Sequence, residues 1–548
     1  LFFLGLIYKK SLIIVTYILV PMKHIIILFF ILSFSSNLVS QNSKYESNFE
    51  KFRQYYTLLR HHYVDTVNFD KIIESAIVKS LENLDPHSMY LPPKEASSEN
   101  ERLKGSFEGI GIVYNVFKDT LQILDVIAGG PSEKVGLMIG DKLIKIGDTT
   151  FAGDSKYKSD DYVSRLKGPK GTKVNISLLR GDKIIDFTIT RDVIPIYSVD
   201  IATMIDIETG YIKLNKFAGS TPQEISIALN DLSSKGMKTL ILDLQNNGGG
   251  LLQAAVALCD EFLESKRLVV YTQGEHYPKQ SFETSENGLF RKGKLIVLIN
   301  ENSASASEIV SGAIQDWDRG LIIGRRSFGK GLVQRPFTLM DNSQLRLTTA
   351  EYFTPSGRFI QKPFNKGLKE YRAEIIQRAQ SGQLTKKDTL VPPDSLMKFT
   401  NNKRKVYGGG GITPDIYIPI DTTVNSEYYF NFLRKGLVNQ YTTEFIDKNK
   451  KTILENHPKM EDFYTHFKLD SAQFNQFLVL GDSAKIKRDT PAIEKSGNMI
   501  KTILKANIGR GIYGAAAFYK IIMDIDPIIQ KAIAIRRENF LKYKVRNE

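Results

Sequence analysis

Between residues 193 and 421 the chain alternates two apolar periods. Short, β-branched-rich runs at 211–217, 239–244, 268–272, 295–300 and 321–324 predict buried strands, and stretches with apolar residues at helical spacing, 222–234, 251–263 and 306–317, fall among them. Strands that alternate with helices predict an α/β domain. Upstream, residues 43–103 read as helical, with Phe49, Phe52, Tyr56 and Leu59 on one stripe, until Asp85-Pro-His-Ser breaks the pattern into a loop. Residues 104–192 carry short apolar runs punctuated by glycine, a mostly β pattern. From 422 to 548 helical spacing returns, as in Ile500, Ile503, Leu504 and Ile508, then 515–523 and 528–535. A packed helical cap is the expectation there, with a homo-oligomer surface or an adaptor dock also open.

The chain has 548 residues, 42% hydrophobic and 24% charged, which suits several globular domains. The net charge of +14 raises the question of nucleic acid, but the basic residues are scattered and neither zinc spacing nor an aromatic RNA-binding signature is present. No nucleic-acid partner is expected. Residues 1–40 differ from the rest: from Met22 a basic start, an apolar run and small residues near Ser40 match a secretory signal, so Met22 is the expected start and 1–21 an upstream extension. The expected location is the periplasm or cell envelope, and an uncleaved segment would give membrane association. Cys259, the single cysteine, lies on an apolar helical pattern and is expected in a core.

The chemistry concentrates between Asn300 and Gln334. A strand-like run ends at Asn300, Ser303-Ala-Ser305-Ala306-Ser-Glu308 follows, and a helical pattern begins. This places small serines at a helix N-terminus, where free N–H groups favour developing negative charge. A serine needs a base, and a lysine serves if burial keeps it neutral. Lys330 in Phe-Gly-Lys-Gly is the candidate, while an ordinary N-cap serine explains the same local sequence equally well. Gln245-Asn-Asn-Gly248-Gly249-Gly250, after the run 239–244, is either a flexible turn or a place where backbone amides approach a reacting group.

Taken together, Ser-Ala-Ser-Ala-Ser-Glu-Ile, Phe-Gly-Lys-Gly and a glutamine four residues after the lysine resemble the tail-specific, or carboxyl-terminal processing, protease family. The Asp85-Pro-His-Ser loop and residues 408–416 also resemble family segments. The resemblance implies a crotonase/ClpP-like αβ protease core, with Ser305 as nucleophile, Lys330 as general base and Gln334 orienting the lysine. It implies an oxyanion hole from the Gly249 and Ala306 amides, with Gly248 as the second choice for the first donor, and no metal or cofactor. Gln245 departs from the family, which usually has arginine there. His87 is read as structural.

Residues 104–192 resemble a PDZ domain inserted before the core, through Phe107-Glu-Gly109-Ile110-Gly111-Ile112, Gly130-Pro-Ser-Glu-Lys-Val-Gly136, Gly140-Asp-Lys-Leu-Ile and Leu166-Lys-Gly-Pro-Lys-Gly171. Such a domain adds a peptide C-terminus as a strand and holds its carboxylate on loop amides. The resemblance assigns that loop to Gly109, Ile110, Gly111 and Ile112, and their apolar character implies protein or peptide substrates with apolar C-termini. The domains expected are thus 43–103 helical, 104–192 PDZ, 193–421 peptidase core and 422–548 helical. A trypsin-like enzyme with PDZ domains would need a Gly-Asn-Ser-Gly-type nucleophile, which is missing. An inactive PDZ scaffold and a lipid- or retinoid-binding relative remain as alternatives.

Overall fold

A computed structural model describes residues 45–543, apart from 118, 128, 155, 287, 387–392 and 425. The signal-like segment lies outside these residues. No described helix is long and apolar enough to cross a membrane. Residues up to Ser80 form one compact unit and those from Leu81 another. In the first, a helix over 45–62 is followed by Phe69–Leu81, with the Tyr56 and Phe69 rings 4.6 Å apart.

The second unit is built around a six-stranded sheet in the order Val199–Met204, Thr209–Leu214, Thr239–Asp243, Lys294–Ile299, Leu321–Gly324, Ile416–Tyr417. The first pair is antiparallel and the rest are parallel. Because side chains alternate along a strand, each strand feeds two cores. Leu240, Leu242, Leu295 and Val297 pack against the helices Thr221–Ser234, Leu252–Asp260 and Ala306–Asp316, together with Cys259. Ile241, Ile296 and Leu298 face the other way, onto Met523, Ile528, Ile529 and Ile535 of the C-terminal helices. Parallel strands covered on both faces are continuously apolar, which is why these runs stand out in the sequence.

A second, antiparallel sheet joins Met89–Leu91, Gln344–Phe353, Leu332–Thr338, Leu268–Gln273 and Gln280–Glu283. The helix Pro93–Lys104 leads from it to a two-stranded stem in which Ser106–Gly109 pairs antiparallel with Asp192–Pro195. Between the stem strands lies a small β domain, ordered Ile112–Phe117, Thr120–Val126, Lys142–Ile146, Lys173–Arg180, Lys183–Thr190, with the helix Ser159–Leu166 and its own core around Leu121, Ile123, Phe151 and Tyr162. The outer face of that sheet meets the helix Leu437–Asn456, where Gln122 Nε2 donates to Asp447 Oδ1 at 2.5 Å. Helices between Glu427 and Met523 enclose a separate aromatic-rich core that includes Phe432, Phe463 and Phe477. The architecture is the mixed α/β core with a β insertion and a helical C-terminal region that the sequence patterns predict.

Candidate active site

Two parallel strands deliver the site. After Thr239–Asp243 and Lys294–Ile299 the chain forms adjacent loops that are tied together: Asn246 N–H donates to Asn300 Oδ1 (2.9 Å), and Asn300 Nδ2 donates back to Asn246 Oδ1 (2.9 Å). Ser303 Oγ donates to the Leu244 carbonyl (2.8 Å) and Ser307 Oγ to the Asn247 carbonyl (2.8 Å), so both outer serines of the motif bind the loops to each other. Ser305, between them, N-caps Ala306–Asp316 with φ 57° and ψ −114°. A serine in this region is strained by roughly 1–3 kcal/mol and persists only where its surroundings enforce it. Here the enforcement comes from Glu308 Oε2, which accepts the Ser305 N–H (2.8 Å), and from the Tyr352 hydroxyl, which donates to the Ser305 carbonyl (3.2 Å). Gly249 (φ 97°) closes in from the neighbouring loop. A Cβ on it would sit 2.7 Å from the Ala304 carbonyl oxygen and 2.9 Å from Ala306 N, so glycine is required.

Lys330 approaches from the segment before Leu332–Thr338. Burial pushes its pKa down, against the charges of Glu308 and Asp85. Its Nζ donates to Gln334 Oε1 at 2.9 Å, and Gln334 Nε2 in turn donates to the His87 carbonyl. His87 itself is buried, contacts the Tyr371 hydroxyl (2.7 Å) and is pushed down to about 3 by burial and then by Lys330, which keeps the ring neutral. Ser305, Lys330, Gln334, Gly248 and Gly249 all line one cavity of about 980 Å³, whose walls also include Met89, Glu99, Arg102 and Arg346. Ser305 Oγ and Lys330 Nζ share this cavity without a direct hydrogen bond between them.

The amides divide differently from the expectation. Gly249 N–H donates to Asn247 Oδ1 (2.9 Å) and is occupied, because the tight turn brings its own Asn side chain back onto it. Gly248 N–H and Ala306 N–H have no acceptor among the described residues. Gln245, where arginine is usual, has no part in the cavity. Its Nε2 lies 3.4 Å from both Asp243 Oδ2 and Asp526 Oδ2, and its carbonyl accepts Lys213 Nζ at 2.6 Å. In the inserted β domain Gly109 ends the stem strand, Ile110 is buried in the core, Gly111 takes φ 76° and Ile112 opens a strand whose outer edge is unpaired.

Sequence reasoning missed two participants. The His87 carbonyl acts through backbone and carries no side-chain signal. Glu308, fully buried beside Ser305, was legible as the fourth residue of a Ser-x-x-Glu capping pattern. Among the described residues no cluster of His, Cys, Asp and Glu is placed to hold a metal.

A strained serine at a helix N-terminus, beside free amides and a buried lysine, belongs to the class of serine-type peptidases, and comparison with known sequences agrees. Residues 208–369 match Peptidase family S41, residues 109–190 match the PDZ domain and residues 428–514 match a family of unknown function, DUF8443. The carboxy-terminal-processing protease of Bartonella bacilliformis is 37% identical over 57% of this chain and 72% of its own length. The carboxy-terminal processing protease CtpA of Bacillus subtilis is 31% identical over 66% of this chain and 77% of its own. Among solved structures, a photosystem II D1 C-terminal processing protease is 25% identical over 68% of this chain and 88% of its own, with a TM-score of 0.34. The chain belongs to the carboxy-terminal-processing protease family, and it is a PDZ-containing enzyme.

Proposed function

We propose that this chain is a Ser–Lys endopeptidase that selects protein substrates by apolar C-terminal tails. The observation that carries the catalytic half is the buried Lys330, lowered in pKa and held by Gln334, in the same cavity as the strained Ser305. Neutral Lys330 Nζ takes the Ser305 hydroxyl proton as Oγ bonds the scissile carbonyl carbon. Amides of Ala306 and of the Gly248–Gly249 turn receive the oxyanion: Gly248 is free at rest, and Gly249 becomes free when Asn247 turns away. The C–N bond then breaks, the leaving amine takes the proton from Lys330, and a water activated by the same lysine hydrolyses the acyl-enzyme. No step calls for a metal or cofactor.

The recognition half rests on the unpaired edge of Ile112–Phe117, beside the loop Gly109–Ile110–Gly111–Ile112, where a tail adds as a strand. The Met22 signal directs the enzyme to the periplasm or cell envelope, a retained N-terminal segment would hold it at the membrane, and the C-terminal helices offer a surface for an adaptor or a second copy. The test is to purify the chain from Gln41 and incubate it with an unfolded protein ending in apolar residues, beside Ser305→Ala and Lys330→Ala. Cleavage by the parent alone, slowed by a charged C-terminus, supports both halves. Binding without cleavage by all three replaces the enzyme with a scaffold.

A further inference from the structure

Glu308 is buried at 0% exposure, and its carboxylate collects four hydrogen bonds. Oε2 accepts the main-chain N–H of Ser305 (2.8 Å) and of Lys330 (2.9 Å). Oε1 accepts the Ser327 hydroxyl (2.6 Å) and the Gly329 N–H (2.7 Å). A helix-capping glutamate needs only the first of these and works at a protein surface. The other three donors come from residues 327–330, which carry the lysine. Placing a carboxylate in a core is costly unless it is fully bonded, so the burial needs an explanation beyond capping.

We propose that Glu308 is a positioning residue of the peptidase reaction: one anion clamps the turn of Ser305 to the loop of Lys330 and serves as counter-charge to the ammonium formed when Lys330 takes the serine proton. This rests on the Ser–Lys reading above. Because the amides of Ser305 and Lys330 converge on the same oxygen, the separation of nucleophile and base is set through one atom. The anion also stabilises the cationic form of Lys330, which burial disfavours. Other charges face the lysine from three elements: Asp85 ahead of Met89–Leu91, Glu99 on Pro93–Lys104 and Arg346 on Gln344–Phe353. Glu308 is felt in addition by Tyr352, Lys362 and Tyr371, and burial pushes its own carboxyl up to about 7 against its four donors.

The sign follows directly. Where Glu308 is ionised, above about pH 7, removing the anion lowers the Lys330 pKa, so neutral base becomes available at lower pH and the acid limb of kcat/KM moves down. Glu308→Gln keeps the size of the side chain and removes the charge. With the full chain from Gln41 and an unfolded protein substrate ending in apolar residues, the expected result is a fall in kcat of about 10²-fold with KM little changed, and an acid limb lower by about one pH unit. An unmoved limb overturns the proposal whatever happens to kcat, because loss of kcat alone is what a merely structural glutamate gives. If Glu308→Gln does not unfold cooperatively, Ser327→Ala, which removes a donor that holds the Glu308 pKa down and so leaves less of the anion at a given pH, is read the same way: a limb moved down supports the proposal and an unmoved one overturns it. Ser305→Ala and Lys330→Ala run alongside. Cleavage by either overturns the Ser–Lys reading itself, whereas dead controls with a parent-like Glu308→Gln overturn only the role of Glu308.

Discussion

On the face of the core sheet that carries Ser305, the buried anion is Glu308, bonded by three main-chain amides and one hydroxyl. On the opposite face, Asp243 is bonded by Lys213 Nζ (3.0 Å) and the Tyr211 hydroxyl (2.7 Å), with Asp526 reaching the same Gln245 side chain from the N-cap of Pro527–Ile535. Three of the front cluster's four donors are main-chain amides, which carry no charge at any pH. In the back cluster Asp243 also accepts the Gln245 N–H (2.8 Å) and Asp526 the N–H groups of Ile528 and Ile529, while burial, with the Asp243 charge adding to it, raises the Asp526 pKa against those amides and the Arg325 charge. The face that carries Ser305 holds its carboxylate with main-chain amides and one hydroxyl, whereas the back adds a charged side chain, Lys213, to its amides.

The comparison breaks most severely at Lys213. Lys213→Met leaves Asp243 buried without its cation, and a loss of about 3–5 kcal/mol is expected in urea unfolding at pH 7.5; a loss below about 1 kcal/mol would mean that water reaches the back cluster. On the front, Gly249→Ala drives a Cβ into the Ala304 and Ala306 main chain. A kcat lower by about 10²-fold together with a lower Tm is expected, and parent-like turnover and Tm would show that the turn relaxes freely. Gln245→Arg sharpens the contrast by supplying a second cation between Asp243 and Asp526. It should stabilise by about 1 kcal/mol at pH 8 and by less near pH 3, where Asp526, its pKa raised by burial, is neutral. The smallest effect belongs to Asp526→Asn, since asparagine caps a helix as well as aspartate does. The raised pKa of Asp526 in the folded state means that the parent loses stability as pH climbs from the ordinary value of 3.8 through the raised one. The variant lacks that loss, so its Tm should exceed the parent's at pH 8 and match it near pH 3.

Much of this was legible because the core strands are covered on both faces. Leu240–Leu242 and Leu295–Ile299 are apolar at every position, and the runs 239–244 and 295–300 announced the strands within a residue. Of the second sheet only Leu268–Gln273 was legible, as the run 268–272. Gln344–Phe353 mixes Arg346, Thr348 and Glu351 with apolar residues: Arg346 lines the cavity and Thr348 Oγ1 donates to Asp85 Oδ1. Lys330 and Gln334 were found by motif, but the strand Leu332–Thr338 that carries Gln334 was not. The hydrogen bond from Gln334 to the His87 carbonyl joins residues 247 positions apart, which no local pattern reports. The occupied Gly249 amide depends on the Asn247 rotamer, a detail of side-chain geometry that lies beneath the glycine-rich signature. The stripe of Phe49 and Phe52 is helical as expected, yet both rings are exposed.

The stem below the PDZ domain has a bearing on how such chains are assembled and re-engineered. Gly109 and Asp192 are register partners across its two strands, so the chain leaves the peptidase and returns to it at neighbouring points. Everything between them is an insertion with its own core, which also touches the C-terminal helices through Gln122 and Asp447. A short hairpin turn would span the gap left by its removal, and a different reader of protein tails could be spliced onto the same two strands without moving a residue of the cavity. On the proposed reading of the inserted domain as the reader of substrate tails, substrate choice and bond cleavage are separately exchangeable parts.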